Sequence, residues 1–322
     1  MTRHKTVSLT AAFTLLAASC LLSACASFTQ PAAQAPATSS GTTPDEYQNL
    51  PTPPLLSEPY LPQDNPLLSA SSTLVMGKQE AVLIDAQFSA SDAQRLAGRI
   101  QALGKRLTTI YITQGEPEHY FGLSTLKEAF PEARVVARPH TVAQIRASGK
   151  SLQDIWRPQM GSDAPSNIVI PEPLNEDRIL LERQSLRILG DSASASPSTP
   201  EFIWIPSIRT VVGGHLVYSG EHVNLAEAAS TEARAVWLKA LERMESLNPD
   251  VVIPGHHSGS GQMNLDAVRF TADYIRAFDE ENLRTRNASG LIEAMRTRFP
   301  GLRGNGTLEL SARVIKGELN LR

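Results

Sequence analysis

An α/β domain is what the patterning of this chain predicts, and three observations carry that expectation. Short β-branched and aliphatic runs alternate with stretches whose apolar residues recur at helical spacing. Several of the runs come in pairs separated by a few turn residues, as in hairpins. Roughly 256 residues, from Leu67 to Arg322, are available, enough for one domain with a full core. Paired strands with helices outside them imply two sheets packed face to face, although periodicity by itself is equally compatible with one doubly wound sheet.

Thr73 to Met76 and Ala81 to Asp85 read as a hairpin around Gly77, Lys78 and Gln79. Ala93, Leu96, Ala97, Ile100 and Leu103 then mark one face of a helix, and Thr108 to Thr113 is a strand. Leu123 to Phe130 is helical, Arg134 to Ala137 a strand and Thr141 to Ala147 helical. The second half repeats the style, with strands at Leu186 to Leu189, Phe202 to Ile205, Thr210 to Val212 and Leu216 to Tyr218. Trp237, Ala240, Leu241, Met244 and Leu247 form another apolar helical face. Val251 to Ile253 is a strand running into Pro254-Gly255-His256-His257, and the tail from Leu265 to Phe299 is largely helical. There is no internal repeat of the solenoid kind.

The N-terminal part is of a different character. Arg3, His4 and Lys5 precede an apolar run from Val7 to Leu22 that ends Leu22-Ser23-Ala24-Cys25. The run is too short and too rich in small residues for a membrane span of about 20 strongly apolar residues, and it reads as a signal peptide over residues 1–24. Its ending resembles a bacterial lipobox, which implies lipidation of Cys25 and a mature chain attached to the membrane through that lipid. Ala26 in place of an Asp directs the expectation to an outer membrane, facing the periplasm. Residues 25–66 are rich in Pro, Ala, Ser and Thr and cannot bury enough apolar surface to order themselves, so they read as a tether, with the stretch Leu55 to Leu68 able to pack on the domain. Residues 67–322 then form the folded domain with its C-terminal helices.

Cys20 falls within the signal peptide, so the mature domain has no cysteine for a disulfide, a thiolate ligand or a nucleophile. Loss of the first 24 residues removes two basic residues and no acidic ones, moving the formal charge from −3 to −5. A mildly acidic surface without basic clusters argues against nucleic acid as a partner.

Thr113-Gln114-Gly115-Glu116-Pro117-Glu118-His119 follows a strand and opens a helix. It resembles the Thr-His-x-His-x-Asp-His loop of the metallo-β-lactamase fold, with Gln114, Glu116 and Glu118 at the first three ligand positions and His119 at the last. Three further loops fit the same family. Gly190-Asp191 stands for its Gly-His, Gly214-His215 for its Gly-Asp, and Pro254-Gly255-His256 matches its Pro-Gly-His. The resemblance covers Leu67 to about Asp279 and implies the αββα sandwich of that fold, which resolves the choice left open by periodicity.

It also implies a metal site. Glu116, Glu118, His119, Asp191, His215 and His256 can all ligate a metal when deprotonated, and the amide oxygen of Gln114 is a weak further candidate. An abandoned site would more often decay to Ala, Ser, Gly or Leu. Three carboxylates with three imidazoles are harder ligands than the family's His-rich set, which tilts the expectation from zinc towards manganese, iron or magnesium, and one or two ions of zinc, manganese or iron are expected. Glu118 replaces the family Asp that orients water and is the candidate base. Asp85 matches an Asp that supports the metal loops from behind. His222 is a candidate substrate contact near the pocket mouth, and His257 a rim residue.

The implied function is metal-dependent hydrolysis of an ester, amide, lactone or phosphoester of unknown identity. It does not extend to β-lactamase activity, because the usual three-His first site is broken at Gln114 and Glu116. The competing reading is a non-catalytic relative serving as a ligand- or partner-binding module. The serine-rich run Ser192 to Pro200 contains no Gly-x-Ser-x-Gly elbow and reads as a loop.

Overall fold

The computed structural model describes residues 53–62, 70–190, 200–259 and 261–320. The expectations for the signal peptide, for Cys25, for most of the tether and for Asp191 with Ser192 to Thr199 lie outside the described residues.

Two sheets stack face to face with helices on both outer sides, the αββα arrangement that the loops implied. The first sheet runs β1 (Leu56–Tyr60), β2 (Ser72–Met76), β3 (Glu80–Ile84), β4 (Arg106–Ile112), β5 (Arg134–Ala137) and β6 (Glu172–Pro173), in that spatial order. The second is ordered β11 (Val251–His257), β10 (Thr210–Ser219), β9 (Glu201–Ile205), β8 (Gln184–Gly190) and β7 (Arg178–Leu181). Between them lies an aliphatic layer that includes Val75, Val82, Ile84, Val136, Ile188, Ile203, Ile205, Val212 and Ile253. Such near-continuous apolar strands are what burial on both faces demands.

Each sheet presents its other face to helices. Against the first pack α1 (Ala90–Ala102), α3 (Leu123–Ala129) and α4 (Pro139–Met160), through Leu96, Ile100, Leu126, Val142 and Ile145. The one-turn helix α2 (Pro117–Tyr120) precedes α3. Against the second pack α5 (Thr231–Ser246), α6 (Leu265–Arg284), α7 (Ala288–Arg298) and α8 (Asn305–Ile315), through Trp237, Leu241, Ile275, Phe278, Leu291 and Leu308. The starts of α1, α5, α6 and α7 are fixed by side-chain caps from Ser89, Ser230, Asn264 and Asn287, each accepting from a backbone N–H of the first turn. Among the described residues no helix is long and apolar enough to cross a membrane.

Several elements differ from the expectation. Leu56–Tyr60, within the stretch read as able to pack on the domain, does so as an unforeseen edge strand paired antiparallel to β2, with Leu55 and Tyr60 buried. Its prolines hide it in the sequence, and an edge is where a strand tolerates Pro59. Thr210 to Val212 and Leu216 to Tyr218 are one strand, β10, whose pairing with β11 shifts register on both sides of Gly214. An irregularity of this kind breaks the alternation that strand recognition relies on. The helix expected at Thr141 to Ala147 runs over Pro139–Met160, because its later turns are mostly exposed and polar. The short strands β6 and β7 carry too little pattern to be recognised.

Candidate metal centre

The site forms where β3, β4, β10 and β11 end on one edge of the sandwich. β3 stops at Ile84, and the next residue, Asp85, adopts a left-handed backbone (φ +61°), a conformation that among non-glycine residues favours Asn and Asp. The turn is held because Asp85 N–H donates to Tyr111 O at 2.9 Å and Ala86 N–H to His119 O at 2.7 Å. From this position the Asp85 carboxylate accepts from Thr113 N–H (2.9 Å to Oδ1), Thr113 Oγ1–H (2.8 Å to Oδ2) and His119 Nδ1–H (2.9 Å to Oδ2). His119 is fully buried, and with Nδ1 donating, its lone pair sits on Nε2, which has no hydrogen-bond partner.

His215 and His256 arrive from the neighbouring strands β10 and β11. Gly255 lets them approach: a Cβ there would sit 2.1 Å from Gly214 O. Gly214 itself takes φ +52°, the turn that breaks β10 just before His215. The His256 ring stacks on Tyr218, its register partner on β10, with centroids 4.3 Å apart at 13°. His215 lies 5.4 Å from the Trp237 ring, and its Nδ1 has no hydrogen-bond partner. One nitrogen from each of His119, His215 and His256 comes within 4.8 Å of the others, and all three side chains are buried. Fixed imidazoles converging in this way fit a divalent cation of the zinc type, for which metal–nitrogen distances are about 2.0–2.1 Å.

Carboxylates surround this group. Glu116 and Glu118 are both buried beside His119, and Gln144 Nε2 donates to Glu116 Oε1 at 3.1 Å. Burial disfavours the His119 imidazolium, but Asp85, Glu118 and Glu116 outweigh it and hold the group up at about 9. A metal ion would therefore compete with a proton for Nε2. Burial pushes His215 down to about 4, leaving it neutral. Burial also raises the Glu118 carboxyl.

Glu227, which the sequence did not single out, lies alongside Glu116. Two buried carboxylates so placed do not both ionise. Burial and the Glu116 charge push Glu227 up to about 10, while burial of Glu116 is overcome by Glu227 and the two imidazoles, so Glu116 carries the charge and Glu227 the proton. A small cleft opens here, lined by Gln114, His215, Leu216, Glu227, Ala228 and Trp237.

Asp85 supports His119 directly. Gln114 is buried and lines the cleft. His222 is not at the mouth: it is buried, its Nδ1 2.9 Å from Tyr274 Oη, because its loop folds back onto α6 and its N–H donates to Arg303 O. His257 is half-buried, with Nε2 2.9 Å from Gly261 O.

The family model of the metallo-beta-lactamase superfamily matches residues 65–256, the region that contains the three imidazoles and both sheets apart from the edge strand β1 and the last residue of β11. The chain belongs to the metallo-β-lactamase superfamily. Solved structures agree at the level of fold. A metallo-beta-lactamase family protein from Thermus thermophilus superposes with a TM-score of 0.56 at 17% identity, over 80% of this chain and 91% of that one. A beta-lactamase domain protein from Burkholderia ambifaria gives 0.55 at 15% identity, over 81% and 84%. A metallo-beta-lactamase from Pontibacter korlensis gives 0.51 at 16%, over 69% and 95%. No curated protein matches the sequence. As a metallo-β-lactamase-superfamily member the chain has a metal-dependent hydrolase's framework, and His119, His215 and His256 form a group able to hold the metal.

Proposed function

We propose that this superfamily member is a hydrolase that works with one divalent metal held by His119, His215 and His256, and that its substrate is an ester, amide, lactone or phosphoester. The observation that carries the reading is the convergence of three buried imidazole nitrogens within 4.8 Å, one of them oriented by Asp85. Three imidazoles favour zinc, with manganese and iron as alternatives that the surrounding carboxylates accommodate. A metal there would supply Lewis acidity to water and to a carbonyl or phosphoryl oxygen.

The protein's own residues divide the remaining work. Glu118, buried beside His119, would be the group that takes the proton of an attacking water. Asp85 keeps His119 in one tautomer and orientation. Gln114 and Glu116 leave the usual first three-His set incomplete, which supports one ion and speaks against β-lactamase activity.

The setting is part of the same proposal. The basic start, the apolar run and Leu22-Ser23-Ala24-Cys25 support export and lipidation at Cys25, and so a cell-envelope protein tethered to the outer membrane facing the periplasm. Metabolic labelling with palmitate, lost in Cys25→Ser, tests the anchor. Elemental analysis of the purified protein tests the centre: about one equivalent of a single metal, lost in His119→Ala and in His256→Ala, is expected. Substoichiometric metal unaffected by either substitution would turn the assignment to a non-catalytic binding module.

A further inference from the structure

The chain joins the sandwich at the end opposite the metal centre. The parallel strands β3 and β4 run from that end towards Asp85 and His119, and β10 and β11 run from it towards the loops beyond His215 and His256. At the far end Gln184 Nε2 donates to Pro53 O at 2.9 Å, and Leu55 is buried between the sheets with Ile179, Leu181 and Leu186. Leu56, the first residue of β1, is paired with Met76, next to the β2–β3 turn. The place where the chain coming from Cys25 meets the fold is therefore fixed against the β2–β3 and β7–β8 turns. Cys25 lies 28 positions before Pro53, so a lipid on it would keep this end within about 100 Å of its bilayer.

This end is basic and carries exposed apolar residues. The turns β2–β3, α1–β4 and β7–β8 meet here, with Lys105 Nζ donating to Lys78 O at 2.6 Å. The Glu182 carboxylate accepts the N–H groups of Lys78, Gln79 and Glu80 at 2.7, 2.6 and 2.8 Å. Lys78, Arg99, Lys105, Arg106 and Arg183 outnumber the acidic Glu58, Glu80 and Glu182. Glu58 pairs with Arg99 and Glu80 with Arg106, while Glu182 is taken up by its three backbone donors. Lys78 and Arg183 are exposed and form no ion pair among the described residues. Leu56 is 63% exposed, and Leu103 beyond α1 is 38% exposed. Asp85, Glu116 and Glu118 lie at the other end, so charge is divided along the sandwich in a chain that is acidic as a whole. A basic end with exposed leucines is complementary to anionic headgroups, and each basic residue near such a surface strengthens the contact about fivefold.

We propose that this end, with Lys78, Arg183 and Leu56 at its contact, docks on anionic phospholipid headgroups of the membrane that holds the anchor, and so turns the metal centre away from the bilayer. The proposal rests on the reading of Cys25 as lipidated. It directs the site to substrates dissolved in water rather than to lipids of the same leaflet.

The test uses the acylated full-length chain carrying Leu56→Cys, in which the introduced thiol is the one left free once Cys25 bears its lipid. It is labelled with a fluorophore and incorporated into vesicles of phosphatidylethanolamine mixed with either phosphatidylglycerol or phosphatidylcholine. The anchor is common to both, so docking alone separates them. Acrylamide quenching of the label should be at least about threefold weaker on the anionic vesicles. About 0.5 M NaCl should abolish the difference. The same label at Ala229→Cys, exposed at the site end, should be quenched equally on both. Lys78→Gln combined with Arg183→Gln, with an unchanged melting curve, should also remove the protection; if that pair unfolds the protein, the salt titration of the parent decides. Equal quenching at position 56 on both vesicles, protection that survives salt, or equal protection at position 229 would overturn the proposal. Protection that appears only when envelope proteins are added would overturn it in favour of an acidic protein partner. Co-sedimentation with neither vesicle would overturn the anchor reading and this proposal with it, whereas co-sedimentation without protection overturns the docking alone.

Discussion

Asp85 Oδ2 lies 2.9 Å from His119 Nδ1, and the same carboxylate accepts both the N–H and the hydroxyl of Thr113. One side chain thus fixes the loop between β4 and α2 and the tautomer of the imidazole it carries. Asp85→Asn suits the left-handed backbone at this position (φ +61°), so the fold should persist. The amide can no longer accept from both partners in the same way, and metal affinity should fall about 10- to 100-fold. Competition titration with a chromogenic chelator measures it, and an unchanged affinity would show that Asp85 does not support the centre.

Gly255 has no room for a side chain: the nearest atoms to a Cβ would be Gly214 O and C, at 2.1 and 2.3 Å, both backbone. Gly255→Ala must push β10 and β11 apart, and those two strands carry His215 and His256. A cost of about 1–3 kcal/mol is expected from the overpacking. Urea denaturation reads that cost, and metal content should fall although all three imidazoles remain. Full metal loading in Gly255→Ala would mean that the spacing of the two strands is not what sets the site.

Much of this was legible in the chain itself, for identifiable reasons. His119, His215 and His256 each follow or open a strand with a local motif, so the sequence pointed to all three from short windows. Gly255 was readable as part of Pro254-Gly255-His256, but its reason, the backbone of Gly214, lies across the sheet. Glu227 had no local signal: it is one acidic residue in a loop, and it matters only because packing of β10 and α5 sets it against Glu116. His222 was misplaced for the converse reason, since its loop folds onto Tyr274 and nothing near it in sequence says so. Leu56–Tyr60 was hidden by prolines that an edge strand tolerates.

Glu201 is buried between the sheets' ends, accepting from Tyr111 Oη–H at 2.5 Å, with Arg138 Nε 3.9 Å away. Burial raises its carboxyl to about 8, against the opposing pull of Tyr111 and Arg138. The folded chain then keeps a proton that the unfolded chain releases near 4.5, so this group's contribution falls as pH rises from about 4.5 to about 8 and is constant above. Glu201→Gln removes that slope. The stability of the variant relative to the parent should therefore grow with pH across this window, by up to about 1.4 kcal/mol per pH unit. Chemical denaturation at pH 5, 6, 7 and 8 checks it, and a pH-independent difference would refute the raised carboxyl.

Arg234 is buried on α5 and joins three acceptors: Asp279 Oδ1 at 2.6 Å, and Ala228 O and Ala229 O at 2.8 Å each. It ties the segment that follows Glu227 to α6, so it sets one side of the cleft. Arg234→Met leaves two carbonyls without donors and Asp279 without a partner. Because Asp279 is 29% exposed and water can reach it, the loss should fall at the lower end of the about 3–5 kcal/mol expected for breaking a buried pair. Arg234→Lys should recover only part of it, since one ammonium cannot reproduce the planar fork that serves a carboxylate and two carbonyls together. Urea midpoints of the two variants decide between a fork and a simple charge: full recovery by lysine would leave only the charge, and with it no geometric reason for the position of Glu227.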